Sequence, residues 1–263
     1  MPHPLLTRPN LSAALLAAAL FAYLCDALPL AILAMLFVFN ACLFALTAWH
    51  PSPDYRWHKP GKVGLWLFGL TLGFFIALYR PEGFHYPLLY HFISLDFTLY
   101  ANLGKGLAGI LVITWLWPVT GRAKSLSLSL VLALLAAIII LAAAYILGVA
   151  WQVKLPAGIV WFLLINIGIT VLAEEAFFRL QLQQQLTQLW GDGRLSIGAA
   201  AIVSVIFFAL AHLPPDHPYF ALYVLAGSLY CAVFTYTRRF AMAVITHATV
   251  NIGHFIFLAY PLS

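Results

Sequence analysis

Charge is what this chain has least of. Only 8% of its 263 residues are Asp, Glu, Lys or Arg, and just eight are acidic, where ordinary soluble domains carry about 25% charged residues. Hydrophobic residues make up 64% and the mean hydropathy is +0.97. That excludes a soluble globular domain and indicates a polytopic helical membrane protein. Cysteine is scarce as well. Cys25, Cys42 and Cys231 are scattered through apolar runs with no CxxC and no metal-ligand spacing, so they read as small apolar packing residues. The net charge of +5 is not a nucleic-acid footprint, because the basic residues fall between apolar segments, where the positive-inside pattern puts them. The sequence shows no repeat, low-complexity tract, long linker or soluble domain. It also has no His-Glu-x-x-His, no Gly-x-Ser-x-Gly and no Gly-Asp pair inside an apolar run.

What is there is a series of apolar segments, most near the ~20 residues a bilayer requires. The pattern predicts an all-α transmembrane bundle of about eight to nine spans, near 11–26, 28–49, 63–79, 99–118, 126–150, from 155 onward, 196–213, 219–236 and 240–260. The first follows a short basic N-terminus without a small-residue cleavage site and reads as a span rather than a removed signal peptide. A polar loop runs from His50 to Pro60. Residues 80–97, aromatic and containing Pro81, Gly83 and Pro87, read as an interfacial segment with a short surface helix. Counting Lys and Arg by loop parity with the N-terminus inside puts Arg8, Arg56, Lys59, Lys62, Arg122, Lys124, Arg179, Arg194, Arg238 and Arg239 on the inner side, and Arg80, Lys105 and Lys154 on the outer. Such a bias favours a cytoplasmic N-terminus.

Three polar constellations interrupt the apolar sequence of the C-terminal half. The first is Glu174-Glu175-x-x-x-Arg179. Ionisable groups at membrane depth are costly and usually serve a purpose. Glu175 and Arg179, four apart, can pair on one helix face, whereas Glu174 is rotated by ~100° and has no local partner. The plain alternative is a buried ion pair that only locks helix packing. The second is Phe208-x-x-x-His212, before Leu213-Pro214-Pro215. The third is His247-x-x-x-Asn251, again on one face, with His254 a turn further on. Taken alone, His212 fits an interfacial helix end, and His247 with Asn251 fits interhelical glue.

In this order, on separate apolar segments, the three resemble the CAAX-protease and bacteriocin-processing (CPBP, or Abi) family of intramembrane endopeptidases, which includes the eukaryotic CAAX prenyl endopeptidase. The resemblance covers about 155–260. It divides the chain into N-terminal transmembrane helices, 1–154, and a catalytic helical core, 155–263. It implies antiparallel helices around a membrane cavity and cleavage of a peptide near its C-terminus. It also implies that Glu174 and His212 activate water, that His247 and Asn251 stabilise the oxyanion, and that Glu175, Arg179 and Phe208 support them. A metal-free glutamate mechanism is the one it favours.

The residue types agree with that chemistry. Peptide hydrolysis needs a base for water and donors for the developing oxyanion. Glutamate and histidine supply the first; an asparagine amide and an imidazole N–H supply the second. No cofactor is called for, although Glu174, His212 and His247 have the donor types of a zinc site. The partners expected are membrane lipid and a hydrophobic or C-terminal-tail peptide or protein, with no nucleic acid, in a multi-pass protein of a cell inner membrane. The non-enzymatic alternative is a proton-linked transporter or scaffold built on Glu174; the His-Asn pair argues against it, since a proton carrier has no use for an oxyanion hole. Helix arithmetic adds two expectations. Sixteen residues from Glu174 to Trp190, and seventeen from Leu195 to His212, flank the Gly191-Asp192-Gly193-Arg194 turn, and at ~1.5 Å per residue a hairpin brings Glu174 level with His212. A single helix from Leu155 to Trp190 is ~50 Å long, so a kink near Glu174 or a projecting end is required. His247, only seven residues into its span, looks too shallow to join them.

Overall fold

The computed structural model describes residues 7–48, 58–117, 122–191 and 193–260. The loop residues 50–57, including Arg56, and Asp192 of the predicted turn lie outside the described residues. Nine helices are found among those described: α1 (Arg8–Leu24), α2 (Leu30–Ala48), α3 (His58–Leu78), α4 (Leu103–Leu116), α5 (Leu126–Ile146), α6 (Ile159–Trp190), α7 (Arg194–His212), α8 (Phe220–Thr237) and α9 (Phe240–Phe257). Seven are long and apolar enough to cross a membrane, while α1 and α4 are shorter apolar helices. The chain is a polytopic helical membrane protein, as its composition predicts, with fewer full-length spans than the nine apolar segments suggest. At 14 residues, α4 is only ~21 Å long.

Residues 80–97 correct the expectation of a surface helix. They open an antiparallel hairpin, β1 (Leu88–Phe92) and β2 (Phe97–Tyr100), turned through Ile93–Leu95 and a left-handed Asp96. Aromatic, β-favouring residues explain the switch. Phe92 packs edge-on against Phe255, which stacks on Phe162 at 3.8 Å, so the hairpin covers the start of α6 and the end of α9. Gly158 begins α6 at φ +83, and a Cβ there would sit 2.3 Å from the Tyr90 ring. Only glycine meets both demands.

Two ends of the bundle can be told apart. At one, Arg8 bonds the Trp117 carbonyl and Arg239 bonds the Lys124 carbonyl. At the other, Gln152 and Lys154 donate backbone N–H groups to Phe257 and Ile256. This grouping matches the loop parity read from the sequence. Two residues leave that count, however. Arg179 is buried inside α6, and Lys105 lies within α4.

α6 settles the length problem without a break. Its ladder widens to π-type bonding over Asn166–Val171 and again over Ala176–Gln184, and keeps an α-helical turn at Leu172–Glu175 between them. Such widenings are characteristic of functional helices. Its C-terminal end projects. Gln183 bonds Thr235, near the end of α8, so Gln185–Trp190 continues past the end of α8. That overhang explains why residue counting misjudged the depth of His247.

Candidate active site

Small residues let α4 reach the glutamate turn. A Cβ on Gly109 would lie 2.5 Å from the Ala173 Cα, and one on Gly106 would touch Ile169 at 3.4 Å. Close backbone approach of this kind is how membrane helices associate. The Asn102 side chain accepts from the Lys105 backbone N–H to start α4, and donates to the Ala77 carbonyl of α3. This end of α4 is therefore fixed where Lys105 meets α6.

The two adjacent glutamates have separate surroundings. Glu175 and Arg179 are both 0% exposed, with Arg179 Nε donating to Glu175 Oε2 at 2.9 Å, the i, i+4 pair the spacing predicts. The guanidinium also donates to Gln183 Oε1 and Ser204 Oγ and contacts the Cys231 sulfur. Several hydrogen bonds thus compensate the burial of this charge. Glu174 faces the interior space. Its Oε1 takes a proton donor from Lys105 Nζ at 2.5 Å, and its Oε2 lies 3.5 Å from His212 Nε2 and 3.9 Å from His247 Nε2. Partners 38, 69 and 73 residues away in sequence replace the local one it lacks.

Both imidazoles are oriented from behind. His212 Nδ1 donates to the Phe208 carbonyl at 2.7 Å, and His247 Nδ1 donates to Glu175 Oε1 at 2.9 Å. Since those oxygens can only accept, each Nδ1 carries the proton, and a neutral ring presents a lone pair at Nε2 toward Glu174. Tyr223 stacks on His212 at 4.9 Å and Tyr230 on His247 at 4.6 Å. Phe208, buried, touches both rings, 4.3 Å from His212 and 5.9 Å from His247.

Asn251 is displaced from this cluster. Its Nδ2 donates to Asn166 Oδ1 at 3.3 Å, leaving one N–H free. Asn251, Asn166, His212, His247 and Glu174 all line one cavity of about 440 Å³ between α5, α6, α7, α8 and α9. At its rim, burial, with help from Tyr223, pushes the Tyr260 hydroxyl up to about 12, so it stays a neutral donor. A second, apolar cavity of about 170 Å³ lies between α3, α4, α6 and α7. Glu174 and His212 line both cavities and form the wall they share.

Lys105, Asn166, Tyr223 and Tyr230 join the site without having been singled out from sequence. Lys105 carried a signal, a lysine in an apolar stretch, which its use as a loop cation hid. His254, by contrast, turns its Nε2 to the Ala259 carbonyl.

The polar groups converge inside the helix bundle, away from any soluble face, which makes this a polytopic membrane protein with an internal site. Residues 156–253 match the family model of Type II CAAX prenyl endopeptidase Rce1-like proteins. The match includes all three motifs, from Glu174 to Asn251, and in general terms it supports a CAAX-type endopeptidase of the membrane. No curated protein and no solved structure matches the chain.

Proposed function

We propose that this protein is an intramembrane endopeptidase of a cell inner membrane, in which Glu174 is the general base, without a metal. The observation that carries the reading is that two imidazoles, each locked through Nδ1, aim Nε2 at one oxygen of a cavity-facing carboxylate. A water held between Glu174 Oε2 and His212 Nε2 attacks the peptide carbonyl and gives its proton to Glu174. The free N–H of Asn251 receives the oxyanion. His247, held at Nδ1 by Glu175, turns its Nε2 to the same oxygen of Glu174 and borders the space where the oxyanion forms. An oxyanion donor is worth roughly 3–4 kcal/mol of barrier. The proton then passes to the departing amine, as general acid catalysis requires. The substrate is a hydrophobic or lipid-modified C-terminal tail that reaches the cavity from the membrane.

A second reading, zinc hydrolysis, has one observation in its favour. Histidines anchored through Nδ1 with Nε2 directed inward are also the habit of metal ligands. Against it, one Glu174 oxygen is held by the Lys105 ammonium, and among the described residues no group of three or more His, Cys, Asp or Glu side chains is placed to hold a metal ion. The test is cleavage of quenched-fluorescent peptides ending in Cys-aliphatic-aliphatic-X, with and without a farnesyl group, by purified protein in liposomes. Turnover that is lost in Glu174→Gln is expected; no turnover of any such peptide sinks the protease reading.

A further inference from the structure

We propose that Lys105 is the receptor for the free C-terminal carboxylate of the substrate. The inference rests on the protease reading and names the group that recognises the chain end. Lys105 Nζ has three donors, and among the described residues Glu174 Oε1 is its only polar partner. The side chain is 21% exposed, and it is the one lysine or arginine lining the smaller cavity. Two donors are therefore open to an incoming acceptor. The other charges of the site are already closed, with Glu175 matched by Arg179 at 2.9 Å.

Neutralising Glu174 is not a sufficient role for this lysine. An ammonium held at 2.5 Å from a carboxylate oxygen opposes proton uptake by the group that has to act as base. The contact is a resting arrangement. A carboxylate entering the smaller cavity competes for Lys105, draws the ammonium toward itself and frees Glu174 to accept a proton. Recognition of the chain end and activation of the base then become one event. The rest of that cavity fits a chain end. Gly73, Phe74, Leu78 and Phe177 give apolar walls, and the buried side-chain oxygen of Gln181 has no hydrogen-bond partner and can accept from a peptide N–H. The body of the substrate lies in the larger cavity with Asn251, across the shared wall. Because Lys105 Nζ lies 2.5 Å from Glu174 Oε1, a carboxylate on Lys105 places the chain end close to the bond that Glu174 attacks.

The experiment compares one cleavable peptide as the free acid and as the C-terminal amide. Wild-type protein is expected to favour the acid in kcat/KM by at least about tenfold, the discrimination a site shows against a ligand lacking a group it bonds. In Lys105→Met that ratio falls to near one, and Lys105→Arg keeps part of it. Equal cleavage of acid and amide by wild type, or a ratio that survives in Lys105→Met, overturns the proposal. Binding supplies a readout independent of turnover. In Glu174→Gln, where Lys105 is released, titration calorimetry with the free-acid peptide should give tighter binding than in wild type, and the amide should not gain. No gain for the acid also overturns it. If wild type cleaves neither peptide the protease reading fails, while the calorimetry still decides the role of Lys105.

Discussion

His247 donates from Nδ1 to Glu175 Oε1 at 2.9 Å, and through this bond a fully buried ion pair orients a side chain of the cavity. Glu175 shares its two oxygens between Arg179 and His247, whereas Glu174 turns to the cavity. Adjacent residues on a helix point ~100° apart. A doublet can therefore give one carboxylate to the framework and one to the chemistry.

The first prediction separates these roles. Glu174→Gln keeps the shape but removes the base, so turnover should fall by at least ~10²-fold, the contribution usual for a general base, with insertion and thermal stability little changed. Near-normal turnover in a folded variant rules out Glu174 as base.

Glu175 and Arg179 should behave differently. Removing either leaves a buried charge unpaired, at a cost of ~3–5 kcal/mol, so Glu175→Ala and Arg179→Ala are expected to lower expression and melting temperature. Glu175→Ala also takes away the acceptor that orients His247. The double variant should be better tolerated than the sum of the single ones. Strict additivity in detergent melting experiments speaks against the pair.

The approach of α4 to α6 provides a third test. Alanine at Gly109 would place its Cβ 2.5 Å from backbone of Ala173, while alanine at Gly168 meets nothing within 4 Å. Forcing extra volume into a packed contact costs about 1–3 kcal/mol. Gly109→Ala should lose stability and, by shifting Lys105, activity. Gly168→Ala, on α6, should stay within ~1 kcal/mol. Equal melting temperatures for the two variants would show that the close contact does not hold the helices.

The local part of this site was legible in the sequence. Spacing of four gives the Glu175–Arg179 pair, and equal arms around the Gly191–Arg194 turn give the approach of Glu174 to His212, found at 3.5 Å. Both depend only on helix periodicity. The contribution of α4 was not legible, because a contact across 69 residues leaves no periodic trace, and Lys105 looked like any loop cation. His247 was misplaced in depth because helix counts assume that all helices end at one level, and the α6–α7 hairpin does not. The β1–β2 hairpin was hidden because its mixed, aromatic stretch with Pro81, Gly83 and Pro87 read as an interfacial segment with a short surface helix.

Metal removal distinguishes the two hydrolytic readings. With Lys105 on Glu174 Oε1, activity is expected to survive exhaustive chelation, and elemental analysis of active protein should find no stoichiometric metal. Loss of turnover on chelation, restored by zinc, would favour the metal-assisted reading.

The last prediction concerns the side from which the site is reached. His212 is the final residue of α7, and Leu213, Leu258 and Tyr260 line the cavity beyond it, so the larger cavity extends toward the loop at 213–219. α8 runs from that loop back to Arg238 and Arg239, a basic pair of the kind that stays cytoplasmic. Removing Arg179 and Lys105 from the loop count leaves nine basic residues against two, a stronger asymmetry than before. The 213–219 loop is therefore expected on the outer face, and the substrate on the exported side. A cysteine at Asp216 tests this. Cys42 and Cys231 are buried and only Cys25 is exposed, so Cys25→Ala suffices as the background. A membrane-impermeant thiol reagent should label the added cysteine on intact spheroplasts. Labelling only after lysis would put the loop in the cytoplasm and reverse both the orientation and the side from which the substrate arrives.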